Sequence, residues 1–228
     1  MPNGVMKMKI RINDIFSSIN GEVSKSAQGS LCTFIRFQGC NLNCSYCDTG
    51  YSQDIKGGTE MSVSQIMKRV KILKMRNITI TGGEPLLQRE GLEELVSRLQ
   101  LWGISNISIE TNGSFLIPYL GNMVNWIADW KSFSSNMQGD YDIKNFRNLG
   151  GGDFIKFVVA DKKDFNDAVN VIYIFQKKKE LEPPSFAFAP IHGKLDPSVL
   201  VDWMLSKKIC RDNKCVLNLQ LHKIINVP

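Results

Sequence analysis

The 228-residue sequence has only two histidines, His192 and His222, and no long uncharged apolar run. Its opening stretch, MPNGVMKMKIRINDIF, lacks the apolar core of a signal peptide, and its apolar segments are short and broken by charge. A soluble cytoplasmic protein with no membrane segment is therefore expected. An arginine-rich or basic-aromatic stripe is also missing. The 28 Lys and Arg against 22 Asp and Glu give a net charge of +6, but they are scattered, so the excess fits attraction to anionic small molecules and no nucleic-acid partner is expected. The one basic run, Lys177, Lys178 and Lys179, reads as a solvated cap on a helix end. There is no internal repeat and no linker. With 43% hydrophobic residues and ordinary globular composition, the chain is expected to be a single domain over residues 1–228.

What is present is an alternation of β-branched or aromatic runs with amphipathic stretches. Strands are expected at residues 31–37, 77–80, 106–110, 126–130, 154–159, 186–189 and 216–219. Helices are expected at 62–74, where a serine opens the stretch, and at 90–101, 164–177 and 197–206. Strands separated by helices imply right-handed crossovers and a mostly parallel sheet. Roughly six such units are too few for a closed eightfold barrel. The fold class expected is α/β, a partial (β/α) barrel of about six parallel strands with flanking helices. Ligands in such folds collect at the C-terminal strand ends. Residues 38–49, 81–85, 110–113 and the stretch from Lys131 onward all fall there, so one site is expected. Residues 132–152, rich in Ser, Asn and Gly, read as a long functional loop or insertion.

The six cysteines do not form a disulfide framework: Cys40, Cys44 and Cys47 sit together, while Cys32, Cys210 and Cys215 stand apart. The CxxxCxxC spacing of the first three lets a compact loop point three thiolates at one centre. Three thiolates hold three irons of a cubane and leave the fourth open for a ligand. Structural zinc and buried free thiols are the other readings. Zinc wants four closed ligands, and both histidines, Cys210 and Cys215 are distant in sequence. A second glycine-rich segment, TGGEP at residues 81–85, makes a turn without side chains that a ligand can approach closely.

Together, GCNLNCSYCDT and TGGEP resemble the radical S-adenosylmethionine (SAM) superfamily. Within it, IFSSINGE, FIRFQGCN, ITITGGEPLLQ, ISIETNGS, FIKFVV and LNLQLHKII occur in the order seen in the 7-carboxy-7-deazaguanine synthase family. The resemblance runs from about Asn13 to Pro228. It implies a 4Fe-4S cluster on Cys40, Cys44 and Cys47, with SAM and Mg²⁺ as further cofactors. Carried over by motif, Tyr46, Cys47 and Asp48 lie along the adenosine of SAM, and the turn of Gly82, Gly83 and Glu84 meets its methionyl group. Glu110, then Asp129, Trp130 and Lys131, then Ala189, Pro190, Ile191 and His192 complete the SAM contacts. Thr49 offers a hydroxyl to Mg²⁺; otherwise it is a helix cap. Ile19, Asn20, Gly21, Glu22 and Thr81 touch a pterin, Arg36 forks onto its carboxylate or else pairs with a surface acid, and Pro228 reaches the substrate with a terminal carboxylate. Gln220 and His222 order the tail.

The sequence departs from the family pattern at Asn20, at Asp129-Trp130-Lys131 and at Phe188-Ala189-Pro190. The implied reaction converts 6-carboxy-5,6,7,8-tetrahydropterin to 7-carboxy-7-deazaguanine with ring contraction and loss of ammonia, on the way to queuosine. A flavodoxin or ferredoxin is expected as electron donor, and a homodimer as the assembly. No side chain is assigned as catalytic, because the radical chemistry rests on SAM and the cluster. A glycyl-radical enzyme activase acting on a protein, and a non-catalytic Fe-S or zinc binding module, are the alternatives.

Overall fold

The computed structural model describes residues 8–138, 142–177, 183–213 and 215–228. In chain order the elements are β1 (Lys9–Ile19), β2 (Leu31–Phe37), β3 (Thr59–Ser62), α1 (Val63–Leu73), β4 (Asn77–Gly82), α2 (Arg89–Leu101), β5 (Asn106–Thr111) and β6 (Val124–Trp130). They continue with β7 (Phe154–Val159), α3 (Lys162–Gln176), β8 (Ser185–Pro190), α4 (Pro197–Ser206), α5 (Lys208–Asp212), β9 (Cys215–Leu217) and α6 (Leu221–Ile225).

Among the described residues the strands form one sheet in the order β3-β1-β2-β4-β5-β6-β7-β8-β9. Every pair from β2 to β9 is parallel, which makes seven parallel strands where about six were expected. β3 and β9 are the two edges and do not pair, so the sheet is an open partial barrel. β1 runs antiparallel to both β2 and β3, and neither β1 nor β3 was expected. Lys9, Arg11 and Asp14 break the apolar pattern of β1, although Ile10, Ile12 and Ile15 still face the core.

The helices start where side chains satisfy the free N–H groups of the first turn. Ser62 and Gln65 form a capping box on α1: the Ser62 hydroxyl accepts from Gln65 N, and Gln65 Oε1 accepts from Ser62 N at 2.8 Å. Asp161 accepts from the N–H groups of Lys163 and Asp164, so α3 begins two residues before its expected start. Val63, Ile66 and Val70 of α1 and Leu92, Leu95 and Leu99 of α2 share one core with Ile35, Ile78, Ile80, Ile107 and Ile109 of the sheet. Such uninterrupted burial is what a parallel strand covered on both faces requires.

Among the described residues, no α-helix lies between β5 and β6 or between β6 and β7. The described part of 132–152 is folded onto the sheet. Phe146 is fully buried, its ring 5.5 Å from that of Trp130, and Leu149 is also buried. Residues 139–141 of this stretch, and Lys178 and Lys179 of the expected basic cap, lie outside the described residues; α3 ends at Gln176.

Candidate active site

The C-terminal strand ends open into a cavity of about 700 Å³. At one part of its wall the cysteine loop is fixed mainly through backbone. Gly39 N donates to Ser52 O at 2.8 Å and Cys40 N to Gln53 O at 3.1 Å, while Glu84 N donates to Gly39 O at 2.8 Å. The glycine turn therefore lies flat against the root of the loop. A Cβ at Gly83 would sit 2.1 Å from Gly39 O, and one at Gly82, where φ is 144°, 2.2 Å from Phe37 O. No residue with a side chain allows that approach. Farther along, Ser45 N donates to Ser135 O at 3.1 Å and the Ser45 hydroxyl to Ser134 O, tying the loop to the segment after β6.

The three thiols are unbridged and line the cavity together. Cys40 Sγ accepts from Leu42 N at 3.4 Å and from Asn112 Nδ2 at 3.7 Å. Burial raises the Cys40 and Cys44 thiols above the usual range, and Lys131 pulls in the other direction at both. Among the described residues, no three His, Cys, Asp or Glu side chains converge on one point as ligands of a single ion do. Thr49 precedes the short turn Gly50–Ser52 without a side-chain capping bond, and its hydroxyl lies 3.7 Å from Cys47 Sγ. The cap reading of Thr49 thus has no hydrogen bond behind it.

The strand-end floor is charged. Lys156 on β7 pairs with Glu22 and, at 3.1 Å, with Asp129 Oδ1; Lys131 pairs with Asp129 Oδ2 at 2.8 Å. The two lysines hold the Asp129 carboxyl below its usual range against the opposing effect of burial. Glu110, which accepts from Thr81 Oγ1 at 2.6 Å, is pushed up to about 7 by burial and then by the charge of Glu22. Arg36 makes no ion pair among the described residues. Its guanidinium lies over the rings of Phe16 and Tyr51, at 5.5 and 5.6 Å, so the surface-acid reading fails.

A C-terminal wall closes the other side. Asn218 Oδ1 accepts from Val23 N at 2.8 Å, and Leu221 N donates to Gly21 O at 2.9 Å. Gln220 Nε2 donates to Glu22 at 3.2 Å and to Asp48 at 3.3 Å, while Lys223 pairs with Asp48 at 2.5 Å. The Ser18 hydroxyl donates to Pro228 O at 2.6 Å. A Cβ at Gly21 would collide with His222, whose imidazole is held below its usual pKa by burial.

Most residues expected at the site line this one cavity: Ile19, Gly21, Glu22, Arg36, Cys40, Cys44, Tyr46, Cys47, Asp48, Thr49, Thr81, Gly82, Gly83, Glu110, Asp129, Lys131, Ala189, Pro190, Ile191, His192 and Pro228. Three do not. Asn20 is buried behind the wall, where it accepts from Thr79 Oγ1 at 2.5 Å and donates to Ser30 Oγ at 2.8 Å. Trp130 points away and donates to Asp167 at 3.0 Å. Glu84 is fully buried and accepts from Leu86 N, Thr111 Oγ1 and Asn112 N, joining the glycine turn to the end of β5. Burial pushes its carboxyl up to about 7. Lys156, Thr111 and Asn112 line the cavity without having been expected there. For Lys156 a signal existed, because a lysine inside the apolar run FIKFVV of a central strand needs buried partners.

The family model for the radical SAM superfamily matches residues 34–178. A protein of Clostridium acetobutylicum named 7-carboxy-7-deazaguanine synthase is 39% identical over 226 residues, which cover 97% of this chain and 98% of that one. The chain belongs to the radical SAM superfamily and, within it, to the 7-carboxy-7-deazaguanine synthase family. A family member from Methanospirillum hungatei is 36% identical, with 96% and 86% of the two chains covered. The crystal structure of QueE from Escherichia coli shares the fold, with a TM-score of 0.70 at 21% identity over 93% of this chain and 94% of that one. Membership makes the chain an enzyme of a family whose cofactors are a 4Fe-4S cluster and SAM. The donor set fits them: three unbridged thiols on one cavity, a sulfur already accepting two N–H groups, and a glycine turn that leaves backbone open beside them. No helix among the described residues is long and apolar enough to cross a membrane.

Proposed function

We propose that the chain is a single-domain lyase that converts 6-carboxy-5,6,7,8-tetrahydropterin to 7-carboxy-7-deazaguanine, with ring contraction and release of ammonia, in queuosine or related deazapurine synthesis. The observation that carries this reading is Arg36. It faces the same cavity as the three cysteines, has no acidic partner among the described residues, and is flanked by aromatic rings that suit a flat heterocycle.

Cys40, Cys44 and Cys47 would hold the cluster, and Gly82 and Gly83 would admit the methionyl end of SAM. When bound there, cluster and SAM would supply the chemistry of hydrogen-atom abstraction from the substrate. Arg36 anchors the substrate carboxylate with two parallel N–H donors. Glu22, held by Lys156, accepts from the N–H groups of the pterin, and Glu110 lies beside it with a carboxyl poised to titrate near neutrality. Thr49 would contribute a hydroxyl to Mg²⁺ together with substrate oxygens and waters. Pro228 and the rest of the C-terminal wall exclude water and fix the substrate's orientation. A flavodoxin or ferredoxin would deliver the electron, to a homodimer in the cytoplasm.

The test is a titration with the pterin, under saturating SAM and without oxygen. Wild type should bind it. Arg36→Lys, which replaces a fork by a point charge, should bind about 10- to 100-fold more weakly while SAM affinity and the cluster spectrum stay unchanged. No detectable binding to wild type would reject the substrate and leave the superfamily assignment standing.

A further inference from the structure

Asn112, in the turn that follows β5, lines the cavity, yet the reading above gives it no part in the chemistry. Its side chain is buried, and both of its polar atoms are committed. Asn112 Oδ1 accepts from Ser114 N at 2.9 Å, closing an Asx turn. Asn112 Nδ2 donates to Asn41 Oδ1 at 3.0 Å and to Cys40 Sγ at 3.7 Å. Because Ser114 N can only donate, the amide has one allowed orientation, with its nitrogen on the sulfur side. The residue is also held from behind. Its backbone N–H donates to the buried Glu84 at 2.6 Å, and a Cβ on Gly113 (φ 78°) would sit 2.5 Å from the Phe146 ring. Asn41 Nδ2 donates in turn to Ser114 Oγ at 2.9 Å, which latches the turn to the cysteine loop.

The three sulfurs of that loop have unequal surroundings. Cys40 Sγ accepts from two N–H groups, Leu42 N at 3.4 Å and Asn112 Nδ2. Among the described residues no hydrogen bond reaches Cys44 Sγ, and Cys47 Sγ has the Thr49 hydroxyl at 3.7 Å. The Leu42 donor is backbone of the loop itself. The Asn112 donor is supplied by one side chain from a different strand end, and a single substitution removes it.

We propose that Asn112 is a positioning residue that raises the reduction potential of the cluster by donating to its Cys40 ligand. The inference rests on the reading that Cys40, Cys44 and Cys47 hold a 4Fe-4S cluster. Reduction by a one-electron donor adds one negative charge, part of which resides on the ligand sulfurs. An N–H aimed at such a sulfur favours the reduced state over the oxidised one, and hydrogen bonds of this kind are among the levers that set cluster potentials. Burial strengthens the effect, because little water is present to screen it. A cluster tuned in this way is reduced by a weaker donor than it would otherwise need.

The experiment uses the anaerobically reconstituted holoenzyme without SAM, titrated with dithionite through redox mediators while the reduced cluster is counted by electron paramagnetic resonance. Asn112→Asp keeps the shape and the oxygen that Ser114 N needs, but puts a second oxygen where the donor was. At a fixed solution potential its reduced-to-oxidised ratio should fall at least about tenfold, a negative shift of about 59 mV or more for one electron. Asn112→Ala removes the donor without adding charge, and its ratio should fall about 3- to 10-fold. Ser114→Ala takes away the latch partner of Asn41 and leaves the donor, so its potential should match that of wild type. With heavy nitrogen in the asparagine side-chain amides, the reduced wild-type cluster should show a nitrogen hyperfine coupling that Asn112→Asp loses. Absence of that coupling in wild type would overturn the contact, even where a variant fails to hold iron. Unchanged potentials in iron-replete Asn112 variants would overturn the tuning, as would an equal fall in Ser114→Ala. Failure of wild type to form the cluster, or an intact cluster in Cys40→Ala, would instead reject the underlying reading of the cysteines.

Discussion

The strand-end floor and the C-terminal wall are both polar, but they are held in opposite ways. On the floor, Lys131 and Lys156 are 6% and 8% exposed, and their partners Glu22 and Asp129 are 14% and 19% exposed. On the wall, α6 buries no residue, and the Lys223–Asp48 pair is 27% and 42% exposed. Water replaces a lost partner far less readily on the floor than on the wall. The floor's charges are thus bound to the integrity of the fold, whereas the wall's are adjustable and can serve binding at small structural cost.

The largest effect that tests this contrast is expected for Lys156→Met. It leaves Glu22 and Asp129 buried without that cation, a loss on the order of 3–5 kcal/mol for a pair broken from one side. Urea unfolding should show it as a lower midpoint with an unchanged slope. A loss below about 1 kcal/mol would mean that solvent reaches the floor, and the contrast would fail.

A smaller effect distinguishes charge from shape on the floor. Glu110 is raised by burial and by Glu22 to about 7, from an ordinary value of 4.5. A carboxyl raised on folding contributes stability that is fully present below the unfolded pKa and is lost as pH rises through the folded one. Through Glu110, wild type should therefore lose stability between about pH 4.5 and 7, on the order of 3 kcal/mol. Glu110→Gln keeps the shape and cannot ionise, so its urea midpoint should vary less over that window. Parallel pH profiles for the two proteins would show that Glu110 is ionised at no such cost.

The same difference in burial explains what could be read in the sequence. Central strands covered on both faces are continuous apolar runs, so the seven parallel strands were legible, as were the four longer helices with their polar faces. β1 and β3 were not, because an antiparallel pair at the sheet edge with charged residues on its open side lacks that pattern. The short α5 and α6 carry too little periodicity to register. At the site, motif spacing located the cysteines and the glycine turn. It could not tell which side of a strand end faces the cavity, and so it included Asn20, Trp130 and Glu84, which do not line it, while omitting Lys156.

The smallest effect belongs to the wall. Lys223 Nζ reaches both Asp48, at 2.5 Å, and Gln220 Oε1, at 2.8 Å, yet both contacts are only partly buried. Lys223→Met should change stability by less than about 1 kcal/mol, because an exposed pair gains little over its hydrated parts. It should nonetheless alter the site, since the contact it removes joins α6 to the cysteine loop at Asp48, next to Cys47. Pterin affinity should weaken about two- to fivefold, a cost within the 1 kcal/mol of one modest polar contact, with iron content unchanged. Raising the salt concentration should bring wild type toward the variant, because partly exposed charges are screened. A stability loss as large as that of Lys156→Met would erase the distinction between wall and floor, and unchanged pterin affinity would show that the wall holds its position without this pair.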